Sequence, residues 1–103
     1  MVKKISEAEF EAAVKEGISV VDFSATWCGP CQMLALVLEK VSEGMAGKVN
    51  FFAVDVDEAP ALCQKFGVMS VPAVFMLKDG EEVSHSVGFK PQEMIEAWIK
   101  ENL

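Results

Sequence analysis

Cys28 and Cys31 stand three positions apart, with Gly29 and Pro30 between them and Trp27 just ahead. Thiols at that spacing can close into a very small disulfide ring that opens and re-forms easily, which suggests redox exchange rather than a structural staple. In such exchange the thiolate is the attacking species, and a free cysteine near neutral pH is mostly protonated. The surroundings of the pair meet that need. An apolar run, Ile18 to Phe23, leads into the motif, and a helical pattern leads out of it. Cys28 therefore falls where strand gives way to helix. There the unpaired N–H groups of the first turn, and the positive end of the helix dipole, lower a thiol pKa. Pro30 suits a first helical turn, where a missing N–H costs nothing, and Gly29 removes bulk beside the sulfur. Cys31, one turn further in, is expected to be more buried and to stay protonated until needed. That asymmetry assigns Cys28 as the nucleophile and Cys31 as the thiol that resolves the mixed disulfide.

The resolving step needs a base. Asp22 interrupts the run Val20-Val21-Asp22-Phe23 just before the motif, and a carboxylate in a buried strand is costly unless it has a partner or a task. Desolvation would raise its pKa toward the range useful for proton transfer. The bland alternative is a solvated aspartate at a strand edge. The remaining candidates read as structural: Cys63, beside Leu62 and Phe66, as a small buried hydrophobe, and His85, with no second ligand near it in sequence, as structural or solvated.

The elements that must position these groups follow from periodicity. Five strand candidates are Lys3–Ile5, Ile18–Phe23, Val49–Val56, Ala73–Leu77 and Glu82–Val87, the last two joined by an Asp79-Gly80 hairpin signal. Four helix candidates alternate with them. The first is opened by a Ser6/Glu9 capping box and runs to about Glu16, with Phe10, Ala13 and Val14 as its stripe. The second starts at the motif and carries Leu34, Val37, Leu38, Val41 and Met45 on one face; the third spans Ala59–Phe66; the fourth begins at Pro91, with Met94, Ile95, Trp98 and Ile99 inward. Early strands alternating with helices imply parallel pairing through right-handed crossovers, and the hairpin adds antiparallel strands. The fold class is α/β, a central mixed five-stranded sheet flanked by four helices, and residues 1–103 are expected to form a single domain.

Composition narrows the function classes. The formal charge is -7, every cation is a lysine, and no basic cluster occurs, so nucleic acid and anionic membranes are disfavoured as partners. No apolar run approaches the ~20 residues of a membrane helix. Polar Ser6-Glu7-Ala8-Glu9 follows the lysines where a signal peptide would be apolar, so a cytoplasmic location is expected. There an odd cysteine count argues against a disulfide framework. One C-x-x-C supplies only two ligands, and with Cys63 and a single histidine standing alone elsewhere the pattern argues against a closed zinc site. A binding module built on the same scaffold, with thiol chemistry secondary, is the competing class.

Val21-Asp22-Phe23, Trp27-Cys28-Gly29-Pro30-Cys31, Val54-Asp55-Val56-Asp57, Val71-Pro72, Lys78-Asp79-Gly80 and Val87-Gly88 together resemble the thioredoxin family over essentially the whole chain. The resemblance implies a protein-disulfide reductase and general electron donor, acting as a monomer, with no bound cofactor beyond the redox-active Cys28–Cys31 disulfide. Its expected partners are protein disulfides and a thioredoxin reductase. It also implies a cis peptide at Val71-Pro72 facing the cysteines, and a docking patch of Trp27, Gly29, Pro30, Met69, Val71, Pro72, Gly88 and Phe89 that pairs with an extended substrate segment. Four positions depart from the family pattern. Leu36 replaces a helix-kinking proline, so a straighter second helix is expected. Gln32 replaces a lysine, and Ala53 stands where bacterial relatives often place a lysine opposite the aspartate; loss of that cation favours the neutral form of Asp22. Ser24 replaces a frequent aromatic residue. The expected test result is reduction of insulin disulfides when the protein is coupled to a reductase, abolished in a Cys28→Ser, Cys31→Ser variant.

Overall fold

A computed structural model describes residues 1–103. The chain forms β1 (Val2–Lys4), α1 (Glu7–Val14), β2 (Ile18–Ser24), α2 (Gly29–Gly44), β3 (Asn50–Asp55), α3 (Pro60–Phe66), β4 (Ala73–Lys78), β5 (Glu81–Val87) and α4 (Gln92–Glu101). The element order is the expected one, with ends moved by at most two residues. The five strands form one sheet in the order β1-β3-β2-β4-β5. β1, β3 and β2 run parallel, whereas β4 and β5 join antiparallel.

Local chemistry accounts for the boundaries. The Ser6 hydroxyl accepts the Glu9 N–H at 3.2 Å and the Glu9 carboxylate accepts the Ser6 N–H at 2.8 Å, the expected capping box. α1 ends at Val14, ahead of Gly17, whose positive φ of 80° turns the chain into β2. Asp79 and Gly80 both have positive φ, 51° and 87°, the hairpin geometry that matches strand twist. β3 stops one residue short of the expected Val56, because the Asp55 carboxylate accepts the Asp57 N–H at 2.9 Å and starts a 3-10 turn over Val56–Glu58.

The central strand β2 is buried on both faces, and alternate residues serve two cores. Val21 and Phe23 face a cluster with Phe10 and Val14 of α1, Leu62 of α3, and Phe75 and Leu77. Phe23, Phe66 and Phe75 lie with ring centroids 5.4–5.9 Å apart. Val20 faces the other cluster, with Leu34, Leu38 and Val41 of α2, Phe51, Val74 and Met76 of the sheet, and Ile95 and Ile99 of α4.

Two expectations about faces are corrected. Met94 is exposed rather than inward, leaving Ile95 and Ile99 as the buried residues of α4. Trp98 is half-buried, and its indole N–H donates to the Ser84 hydroxyl at 2.9 Å. Leu36 is 73% exposed, as its polar helical neighbours imply, and α2 continues through it unbroken. The seating of α2 therefore rests on its opposite face. Leu38→Ala should cost ~2–5 kcal/mol through the lost burial and the cavity it leaves. Leu36→Ala should change stability by less than ~0.5 kcal/mol; urea unfolding of both variants measures the contrast.

Candidate active site

At the C-terminal end of β2 the chain leaves the sheet through Ala25 and Thr26 and re-enters regular structure at Cys28. Cys28 is the N-cap of α2, with extended backbone (φ −101°, ψ 113°), and its sulfur accepts the Cys31 N–H at 3.2 Å. A hydroxyl or carboxylate usually fills this position. Sulfur there receives the same unpaired donors and the same dipole field that stabilise a negative charge. Pro30 occupies the first turn, and the Gln32 side-chain amide donates to the Thr26 carbonyl at 3.1 Å, bracing the loop that precedes the motif. The two cysteines are joined as a disulfide with Cα atoms 5.3 Å apart. Cys31 is the more buried of the pair, as expected.

Asp22 lies within the covered central strand and is 2% exposed. Its flanking residues in register are Ala53 on β3 and Val74 on β4, neither of which can pair with a carboxylate. Its Oδ1 has no hydrogen-bond partner, and burial pushes its pKa up to about 7. The edge-strand alternative for Asp22 is thereby removed, and the carboxyl titrates where a proton acceptor for a thiol is useful.

On the other side of the ring the Val71-Pro72 peptide is cis. Cys28 Sγ lies 3.9 Å from the Val71 carbonyl oxygen. The Gly88 N–H donates to the Pro72 carbonyl at 2.8 Å, bringing Gly88 (φ 90°) and hence Phe89 against the proline loop. Met69 is 97% and Trp27 70% exposed, and Gly29, Pro30 and part of Phe89 also face outward. Trp27, Val56, Cys63, Met69 and Val71 border a shallow apolar cavity of about 350 Å³. Of the residues named from sequence, Val71 lies against the Cys28 sulfur, Gly88 is tied to the proline loop, and Pro72 itself is buried.

Two features escaped the sequence reading. The Trp27 indole N–H donates to Asp57 Oδ2 at 2.9 Å, fixing the exposed ring; an acidic residue trailing the Val54–Val56 run was the available signal. Cys63 is not the buried hydrophobe expected but is half-exposed in the cavity wall, because α3 presents it at the rim beside Val56. Desolvation, followed by the Glu7 and Asp57 carboxylates, raises its pKa and keeps it a thiol rather than a competing nucleophile.

Comparison with known proteins gives the same picture. The family model described as Thioredoxin matches residues 1–101. A thioredoxin of Staphylococcus saprophyticus is 43% identical over 102 residues, covering 99% of this chain and 98% of that protein. A thioredoxin of Staphylococcus aureus is 41% identical over the same extent. With a helix-capping cysteine pair in a mixed five-stranded sheet and such relatives along its full length, the chain belongs to the thioredoxin family, and it is a thiol–disulfide oxidoreductase whose redox centre is the Cys28–Cys31 disulfide.

Proposed function

We propose that residues 1–103 act as one catalytic domain in which Cys28, Cys31 and Asp22 divide the exchange between them. The Cys28 thiolate attacks one sulfur of a substrate protein disulfide; a mixed disulfide forms and the second substrate sulfur leaves as a thiolate that takes up a proton. Asp22 then takes the Cys31 proton, and the Cys31 thiolate attacks the Cys28 sulfur. The first substrate sulfur is expelled and the Cys28–Cys31 disulfide closes. The substrate gains two electrons and the protein loses two. The observation carrying this reading is the partnerless Asp22 carboxyl, buried and shifted to about 7, on the strand that feeds the disulfide.

Substrate docks as an extended segment on Trp27, Gly29, Pro30, Met69, Val71 and Phe89, its backbone pairing with that of Val71 above the cis proline, with Gly88 allowing close approach. The protein works as a monomer in the cytoplasm, where a thioredoxin reductase restores the dithiol. Support for the location is the relatedness to bacterial thioredoxins, and no helix is long and apolar enough to cross a membrane.

Asp22→Asn separates the base from the thiols. The resolving step should slow roughly 100-fold at pH 8, the lower end of what general-base catalysis supplies. It should also lose the rise through pH 7 expected of the parent, measured by stopped-flow reduction from pH 6 to 9. Unchanged rates across that range would remove Asp22 from the mechanism.

The same shift has a stability consequence of defined sign. The folded-state pKa is raised from 3.8 to about 7, so between those values the folded protein holds a proton that the unfolded chain has released. Stability therefore falls as pH rises from about 4 to about 7 and levels off above, a total on the order of 4 kcal/mol. In urea unfolding of the oxidised protein, Asp22→Asn should stabilise the fold at pH 8 by a few kcal/mol more than it does at pH 4.

A further inference from the structure

Lys4, Ala53 and Asp22 occupy one lateral row of the sheet: Lys4 pairs with Ala53 across β1 and β3, and Ala53 with Asp22 across β3 and β2. Residues in such a row point to one face, here the face covered by α2. Beside Lys4 and Ala53, and reaching in to Cys31 and Ala35 of α2, lies an open cavity of about 320 Å³ that Asp55 also borders, with Asp22 buried behind Ala53 rather than in its wall. The methyl group of Ala53 leaves the middle of the row unfilled. With strands ~4.8 Å apart, the backbones of Lys4 and Asp22 are roughly 10 Å apart, a gap that a four-carbon lysine stem and an aspartate side chain can close between them.

The charges around Asp22 are few. Its strand neighbours are Ala53 and Val74, α4 covers that face with Ile95 and Ile99, and α2 contributes Leu34, Leu38 and the Cys31 sulfur. Of the residues bordering the cavity only Lys4 is cationic and only Asp55 anionic. The Lys4 ammonium lies 3.3 Å from Glu58 Oε1, with both side chains about two-thirds exposed. Such a surface pair holds weakly. A buried carboxylate that ionises without a partner, by contrast, has a large electrostatic deficit.

We propose that Lys4 is a positioning residue for the redox reaction: when Asp22 ionises, Lys4 leaves Glu58, swings over Ala53 into the cavity, and stands as the counter-ion of the Asp22 carboxylate. Glu58 is the resting partner that holds the lysine at the mouth. The inference rests on the assignment of Asp22 as the base. Ala53 is what makes the movement possible, since a longer side chain there would fill the route.

The test follows the Asp22 carboxyl carbon by NMR through a pH titration of the oxidised protein, in the parent, Lys4→Gln, Glu58→Gln and the double variant. Lys4→Gln should raise the Asp22 midpoint by roughly half a pH unit, and the inflection of the resolving-step rate should move with it. Glu58→Gln should lower the midpoint by freeing the lysine, and that lowering should vanish in the Lys4→Gln background, a coupling that two independent charges would not show. A midpoint within about 0.1 unit of the parent in Lys4→Gln, or an undiminished effect of Glu58→Gln in the double variant, overturns the proposal. The titration reads the carboxyl and the Asp22→Asn rates read the base. An unmoved midpoint with Asp22-dependent rates removes the lysine alone; a coupled midpoint with rates indifferent to Asp22 keeps the ion pair but removes both the base and the lysine's part in the reaction.

Discussion

The helix that begins at Gly29 needs an acceptor for its first free N–H groups, and this fold gives that place to the Cys28 sulfur. Everything else about the site follows from keeping that sulfur there. α2 must be seated firmly, which Leu34, Leu38 and Val41 accomplish against Val20, Phe51, Val74 and Met76. β2 must end close under the helix start, so it runs through the centre of the sheet between β3 and β4. Once the cap is a thiol, a structural requirement common to all helices becomes a means of lowering a pKa.

Asp22 shows the opposite economy. A carboxyl group in a strand covered on both faces, with one oxygen unpartnered, works against stability at every pH above its unfolded-state pKa. The surrounding fold absorbs that cost with two apolar clusters of eleven buried residues each, one on either face of the sheet. With the proposed role of Asp22, function and stability are set against each other at a single side chain, and the phenylalanine-rich face on the other side of the sheet helps the fold tolerate it.

Much of this was legible in the residues because local signals agreed with one another. The Ser6/Glu9 box, the Asp79-Gly80 turn and the unbroken apolar run of β2 each have one dominant local solution, and the structure adopts it. The burial of Asp22 was readable for the same reason, since a charge inside such a run has nowhere else to go. Less legible were features decided between elements. That Met94 is exposed depends on how far α4 rotates over the sheet, which a 3.6-residue period leaves open by about one position. The half-exposure of Cys63 depends on where α3 starts after the 3-10 turn. The Glu7 carboxylate accepts the Ala61 and Leu62 N–H groups at 2.8 and 3.2 Å, a tie between two helices more than fifty residues apart that no local pattern announces.

The bond from Trp27 to Asp57 bears on how such a small protein can serve many substrates. An exposed indole that rotated freely would have to be immobilised at each encounter, and every partner would bear that loss of entropy anew. Held by Asp57, the ring is already a fixed wall beside Val56 and Val71, while the long, unbranched Met69 opposite it stays free to adapt. In the docking mode proposed above, one rigid wall and one pliable one would select for an extended, apolar segment and little else, so selectivity would pass from the sequence of the substrate to the accessibility of its disulfide.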